Sequence, residues 1–400
     1  MDDRGMTVTQ QQPLVLPSCD PTTPLGLYVH VPFCATRCGY CDFNTYTAGE
    51  LGADSSPEQW HVALDVELAI AADRLAPVRP VSTVFVGGGT PSLLGADGLA
   101  GVLDVVRRYF DLTADVEITT ESNPESTSPE FFEGLLAAGF TRVSLGMQSA
   151  APHVLATLDR THTPGRAVAA AQEATAAGFG HVNLDLIYGT PGESDDDLAR
   201  TLDAVLAAGV DHVSAYALIV EDGTALARRV RRGELPAPDD DVLADRYEMI
   251  DERLTAAGLD WYEVSNWARA GDLTAQCRHN LAYWDSSDWW GAGPGAHSHV
   301  AGVRWSNVKH PGRYAVSLRD GELPVAMVEE LTPADQHTER VMLGLRRSVG
   351  LPLSELDSDE RVQAVATTDA GLTVLRDDRV VLSNRGRLLA DGVIRQLLVD

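Results

Sequence analysis

The chain has 400 residues, 44% of them hydrophobic, which is material for two or three domains or for one large barrel with an appendage. Its 58 acidic and 31 basic residues leave a net charge of −27, a balance that argues against a basic face for nucleic-acid phosphates and against electrostatic attachment to anionic lipid. Five cysteines without a disulfide pattern suit a reducing compartment, so a cytoplasmic location is expected.

Residues 1–23 are polar and proline-bearing and are expected to form a flexible leader; the opening Met1-Asp2-Asp3-Arg4-Gly5 is acidic and lacks the apolar core of a signal peptide. No stretch approaches the ~20 apolar residues of a membrane-spanning helix. A first strand is expected over Leu25–Val31, followed by a turn punctuated by Pro32 and Gly39. Further strand-like runs follow at Val81–Val86, Val116–Thr120, Arg142–Gly146, His181–Ile187 and His212–Leu218. Helical patterns separate them at Pro57–Leu75, Leu99–Tyr109, Pro129–Ala138, Pro164–Ala177, Asp195–Ala208 and Asp240–Ala257. Pro57, Pro129 and Pro164 stand where helices begin, and Gly139, Gly178, Gly209 and Gly258 where they end.

This alternation predicts an α/β fold, a partial (β/α)6 barrel over residues 24–258 with strands buried on both faces. Residues 259–329, rich in Trp, Tyr, His and Gly, read as an α+β extension. Residues 330–400 read as a small winged-helix-like module. It has a helix at Gln336–Leu345, a second helix start at Leu353–Leu356, a wing from Leu372–Leu375 and Arg379–Leu382 across Asp377-Asp378, and a closing helix at Arg387–Leu398. The acidic charge disfavours DNA as its partner.

In α/β barrels the chemistry gathers at the C-terminal ends of strands, and the unusual residues of this chain collect there. Cys34 follows the first strand, Gly87-Gly88-Gly89-Thr90-Pro91 the second, Glu121-Ser122-Asn123-Pro124 the third and Gln148 the fourth; Asp185 and Tyr216 lie late in the fifth and sixth. Cys34, Cys38 and Cys41 form C-x3-C-x2-C. Three thiolates can hold three irons of a [4Fe–4S] cluster, which normally takes four cysteines, so one iron would stay open to another ligand. Zinc would need a fourth ligand, an odd cysteine count disfavours a disulfide framework, and three core cysteines brought together by chance is the bland alternative. The glycine run allows close approach of backbone to a ligand, although a tight turn explains it equally, and no Gly-Lys-Ser/Thr follows to make a phosphate loop. Glu121 and Asp185 can accept from a ribose diol, Gln148 both donates and accepts, and Arg160 can clasp a carboxylate. Singly, each reads as well as a surface or capping residue; their shared rim makes them a set.

The C-x3-C-x2-C spacing resembles the radical S-adenosylmethionine (SAM) superfamily. The runs Tyr28-Val-His30-Val-Pro32-Phe-Cys34, Ser144-Leu-Gly-Met-Gln148, Asn183-Leu-Asp185-Leu-Ile-Tyr188-Gly-Thr-Pro191, His212-Val-Ser214-Ala-Tyr216 and Tyr262-Glu263-Val-Ser265-Asn266 resemble, within it, the oxygen-independent coproporphyrinogen III oxidase family. By that resemblance Cys34, Cys38 and Cys41 bind the cluster, and Tyr28, Tyr40, Gly88, Gly89, Thr90, Glu121, Gln148, Arg160, Asp185 and Ala217 contact SAM. The dehydrogenase branch carries a further cysteine two places after the third cluster ligand, where this chain has Phe43, and a longer N-terminal extension. His279-Asn280-Leu-Ala-Tyr283-Trp284 resembles instead the heme chaperone HemW branch. That resemblance implies a third cofactor, heme, with His279 as first candidate for contact and Tyr283 and Trp284 as walls, against the alternative of a hydrogen-bonded core histidine. His297, His299 and Cys277 are weaker candidates. The partner implied is a heme-accepting, respiratory-type protein; the resemblance also implies a homodimer promoted by the cluster, with any membrane contact made through protein. Rival functions are coproporphyrinogen III dehydrogenation, another radical reaction on a tetrapyrrole, and nucleic-acid regulation.

Overall fold

The computed structural model describes residues 14–51 and 55–398; the leader expected over 1–23 thus lies mostly outside the described residues. Its described end is tied down. Leu14 is buried and its carbonyl accepts from Arg74 at 3.3 Å, while Arg79 donates to the carbonyls of Asp20 and Thr23.

The expected cadence is present as β1 (Leu25–Val31), α1 (Pro57–Arg74), β2 (Val81–Gly88), α2 (Gly95–Tyr109), β3 (Leu112–Ser122), α3 (Pro129–Ala138), β4 (Arg142–Gln148), α4 (Pro152–Thr157), α5 (Arg166–Ala177), β5 (His181–Tyr188), α6 (Asp195–Ala208), β6 (His212–Ala217), α7 (Ala225–Arg231) and α8 (Asp240–Ala256). Local chemistry explains the boundaries. Ser56 and Gln59 form a capping box ahead of Pro57, and Ser194 and Asp197 do the same for α6. Gly139 and Gly178 end α3 and α5 in the left-handed conformation at φ of 102° and 115°, which a side chain would resist.

After α8 come β7 (Leu259–Glu263), β8 (Asn266–Arg269), α9 (Arg278–Trp284), β9 (Asp288–Ala292), β10 (His297–Val300), β11 (Val303–Asn307), α10 (Pro311–Arg319) and β12 (Val325–Glu330). Among the described residues, one twelve-stranded sheet has the order β12-β11-β10-β9-β1-β2-β3-β4-β5-β6-β8-β7. The extension therefore continues the barrel sheet at both edges. β9 pairs parallel with β1, giving seven parallel strands where six were expected, and β8 pairs antiparallel with β6. The two ends of the order do not pair, so the barrel stays open.

β1 is buried at six of seven positions, as a strand covered on both faces should be. Outside it, Trp290 and Trp305 meet edge-on at 4.9 Å with both rings buried, each burial worth roughly 3–5 kcal/mol against truncation to alanine.

The C-terminal module comprises α11 (Pro333–Gly344), β13 (Leu351–Pro352), α12 (Ser358–Asp369), β14 (Thr373–Arg376), β15 (Arg379–Leu382), α13 (Asn384–Leu388) and α14 (Ala390–Leu397). Its sheet runs β13-β15-β14, and the wing turns at Asp377 and Asp378, both with positive φ. The helix start expected at Leu353 is a short 3-10 turn, and the helix proper begins at Ser358 behind the Asp357 cap. The module has its own core, including Val341, Leu351, Val380 and Val393. It docks on the β7 edge: the Ser348 amide donates to the Tyr262 carbonyl at 2.9 Å, and Arg387 pairs with Asp251 at 2.5 Å while lying 4.7 Å over the Trp261 ring.

Candidate functional site

Side chains alternate along each barrel strand, so every second residue points into the lumen. On β4 these are Arg142, Ser144, Gly146 and Gln148; on β5, Asn183 and Asp185; on β6, His212, Ser214 and Tyr216; on β3, Thr119 and Glu121. They line two cavities stacked along the barrel. The upper one, about 260 Å³, opens at the C-terminal rim and brings together Cys34, Cys38, Cys41, Tyr40, Gly88, Gly89, Thr90, Glu121, Gln148, Arg160 and Asp185. Eleven of the expected site residues thus share one wall. Tyr28 and His279 line the lower cavity instead, about 200 Å³, and Ala217, at the end of β6, lines neither.

The three cysteines are free thiols on a loop built to stay put. The Gly39 amide donates to the Leu158 carbonyl at 3.1 Å, and the Gly39 carbonyl accepts from Leu226 at 2.8 Å. Behind the loop, Asn44 donates to the carbonyls of Pro294 and Lys309 at 2.9 and 2.7 Å, and its own carbonyl meets His30 Nε2 at 2.9 Å. Cys34 accepts a long contact from the Thr90 hydroxyl at 3.6 Å and Cys38 one from Arg160 at 3.4 Å. Burial pushes the Cys41 thiol up to about 11 and raises Cys34 as well, so neither ionises on its own near neutrality. A metal that binds thiolates would supply the missing positive charge. Among the described residues, no three His, Cys, Asp or Glu side chains converge on a single ion position. The three thiols line one cavity, and thiolates are the donors an iron–sulfur cluster takes.

The glycine run earns its composition. A Cβ on Gly88, at φ 112°, would meet the His30 ring at 2.6 Å, and one on Gly89 would meet the Phe33 carbonyl at 2.5 Å and the Cys34 sulfur at 3.0 Å. The Gly88 amide donates to Glu121 Oε2 at 2.9 Å. Burial, helped by the charge of Asp185, lifts Glu121 to about 7. Burial also raises Asp185, opposed by hydrogen bonds from Ser144 at 2.7 Å and Asn183 at 2.8 Å. Gln148 is held at φ 62°, a strain of roughly 1–3 kcal/mol for a non-glycine residue. With its amide turned to suit its neighbours it donates to the Asp185 carbonyl and accepts from Arg160, each at 3.1 Å. Arg160 also donates to the Gly146 carbonyl at 3.1 Å, while its Nε and the Ser122 hydroxyl have no partner among the described residues. Two carboxylates, an arginine, exposed backbone groups and orphaned donors fit a polar, zwitterionic ligand bearing hydroxyls, as SAM is.

Sequence reasoning did not include Ser144, Asn183, Ser122 or His162 in the site. The first two were findable: they lie two residues from Gly146 and Asp185 on strands already assigned. His162, which burial lowers to about 4, carries no such signal.

His279, the first candidate for heme contact, sits at the floor of the barrel. It is buried, its Nδ1 bonds the Thr83 hydroxyl at 2.8 Å and its Nε2 the Tyr283 hydroxyl at 2.9 Å. Burial lowers it to about 3, so it stays neutral. Both nitrogens are hydrogen-bonded, as in a core histidine, while the ring lines the lower cavity. The segment around it closes the barrel floor. Glu117 accepts from the backbone amides of Arg278 and His279 at 3.1 and 3.0 Å and from the Cys277 thiol at 3.5 Å. Cys277 is accordingly a buried thiol, raised by that burial and by Glu117. His299 is also buried and bonds the Ser287 carbonyl.

Residues 28–205 match the radical SAM superfamily and residues 331–389 the HemN C-terminal domain. The chain is 62% identical over 394 residues to the heme chaperone HemW of Mycobacterium tuberculosis, covering 98% of this chain and 100% of that protein. The chain belongs to the HemW family of radical SAM proteins. The HemW of Escherichia coli is 38% identical, over 75% of this chain and 79% of that protein. HemW-like architecture also resembles a solved relative outside the branch: coproporphyrinogen III oxidase (HemN) from Escherichia coli, with TM-score 0.82 and 24% identity, covering 95% of this chain and 91% of that one. That likeness is one of fold. Among the described residues, no helix is long and apolar enough to cross a membrane.

Proposed function

We propose that this protein is a cytoplasmic heme chaperone that binds heme and passes it to an acceptor hemoprotein of respiratory type. The carrying observation is the 62% identity to a HemW over that protein's whole length. Cys34, Cys38 and Cys41 hold a [4Fe–4S] cluster, whose open iron offers a coordination position for the amino and carboxylate groups of SAM. Gly88, Gly89 and Thr90 place backbone groups at the ligand, Glu121 and Asp185 accept from its hydroxyls, and Gln148 and Arg160 fix its polar end. The walls of the cavity support these roles. Phe43, in place of the further cysteine of the dehydrogenase branch, favours the chaperone reading. Tyr28, beside Glu121 in the lower cavity, and Ala217, next to Tyr216 at the end of β6, flank this set and are proposed as further SAM contacts.

Anaerobic reconstitution of the full-length protein tests the reading. Iron, sulfide, SAM and heme are quantified, and heme transfer to an apo-hemoprotein is followed by absorbance. Expected are about four irons and four sulfides per chain, loss of both in Cys38→Ala, and heme that moves to the acceptor. Zinc without sulfide, or no heme retention, would overturn the reading. Anaerobic formation of protoporphyrinogen IX from coproporphyrinogen III would replace it with the dehydrogenase.

A further inference from the structure

A heme carrier needs a place for heme, and the motif that pointed to one is occupied. His279 lies in the barrel floor with both ring nitrogens bonded. The chamber above it, about 200 Å³, is lined by the floor residues and is small for a ligand the size of a tetrapyrrole, which would have to lie across a mouth rather than inside.

The opposite end of the barrel is different. Among the exposed large apolar side chains of the described residues, only two are aromatic, Phe43 at 59% and Tyr216 at 43% exposure. Both line the same upper cavity. The remaining exposed large apolar side chains are not aromatic, and none of them lines this cavity. Phe43 sits on the cluster loop two residues after Cys41. Its ring adds nothing to the core, and an exposed ring beside an open cavity is a surface for stacking a flat apolar ligand. Tyr216 presents its ring from the end of β6. The same cavity wall carries Arg37, a half-exposed guanidinium shared with Glu50 at 3.4 Å. On a chain of net charge −27, a cation at this position is what a carboxylate-bearing ligand would seek.

We propose that heme lies across the mouth of the upper cavity, its macrocycle against Phe43 and the ring of Tyr216 and a propionate on Arg37. This assignment rests on the heme-chaperone reading. It places the cargo directly over the cluster loop, so heme covers the three cysteines and the SAM pocket beneath them. The residue that separates the two branches in sequence, Phe43, is then the one that touches the cargo.

Hemin titration of the anaerobically reconstituted full-length protein, followed at the Soret band, tests it with wild type, Phe43→Ala, Phe43→Trp and His279→Ala. Phe43→Ala is expected to weaken heme binding at least tenfold with iron and sulfide content unchanged, and Phe43→Trp to stay within threefold of wild type. His279→Ala, checked for folding by circular dichroism, is expected to stay within threefold. Tyr283→Phe, which removes only the hydroxyl beside His279 Nε2, gives the same readout where the alanine variant does not fold. Phe43→Ala binding like wild type overturns the site, as does a folded floor variant that loses its Soret band. Wild-type protein that takes up no heme overturns the chaperone reading and the site with it, whereas tight wild-type binding untouched by Phe43→Ala overturns the site alone.

Discussion

His279 Nδ1 lies 2.8 Å from the Thr83 hydroxyl, and this contact locks the segment before β9 onto the second strand of the barrel. Gly26 on β1 makes room for the pair: a Cβ there would meet Thr83 Oγ1 at 2.9 Å and the His279 ring at 3.4 Å. The imidazole in turn stacks on Phe85 at 5.2 Å. His279→Ala should therefore cost roughly 2–4 kcal/mol of stability, from the void and the stranded Thr83 hydroxyl. Gly26→Ala should cost about 1–3 kcal/mol through overpacking. Urea unfolding of both variants checks this; a wild-type midpoint for His279→Ala would show that the floor is not built on that ring.

Glu117 is the acidic centre of the same floor. Besides capping the start of α9 it stands 3.3 Å from Arg142 Nε, and both side chains are buried. Removing one partner strands the other charge, so Glu117→Ala should lose roughly 3–5 kcal/mol. Replacing both by methionine should lose less than the two single changes added together, because no unpaired charge is left. A double-mutant cycle in urea measures the difference.

Glu67, fully buried on α1, accepts from the Gly293 amide at 2.8 Å, Asn307 at 2.7 Å and the Tyr314 hydroxyl at 2.5 Å. Burial nevertheless lifts it from 4.5 to about 7. Between about pH 4.5 and 7 the native protein keeps a proton that the unfolded chain has released, so this group's contribution to stability falls as pH rises and levels off above about 7, a total near 3 kcal/mol. Glu67→Gln should flatten that part of the profile. Urea midpoints of both proteins at pH 5, 6, 7 and 8 give the comparison; parallel profiles would refute it.

Arg387 fastens the C-terminal module to the barrel through Asp251 and Trp261. Its side chain is largely buried, so Arg387→Ala should destabilise docking by roughly 2–4 kcal/mol. Arg387→Lys should not restore it, since lysine lacks both the paired donors and the planar face. Limited proteolysis between 330 and 350, expected to accelerate in both variants, reports on the contact.

The parts of the fold set by neighbouring residues were legible in the sequence. The Pro57 and Pro129 starts of α1 and α3 and the Gly139, Gly178 and Gly209 ends of α3, α5 and α6 follow from capping chemistry, whereas α5 starts at Arg166 behind Gly165 and not at Pro164; the rim position of Cys34, Gly88, Glu121, Gln148 and Asp185 follows from strand ends. β9 was not legible as a seventh parallel strand, because Asp288–Ala292 is short and is joined to β1 across most of the chain. The place of His279 was not legible either. A histidine in an aromatic segment reads as a ligand until its partners are known, and Thr83 is 196 residues away. Tyr28 lines the lower cavity beside Glu121 and Asp185, which line both, a placement that strand assignment alone does not give.

The two carbonyls that hold Asn44 belong to Pro294 and Lys309, some 250 and 265 positions further along. During translation the cysteine loop leaves the ribosome long before its anchor does, and β1 waits equally long for β9. The anchors of Gly39 at Leu158 and Leu226 are made first, and those of Asn44 last. The full set of contacts around the cysteine loop therefore closes only once the chain has been made as far as Lys309.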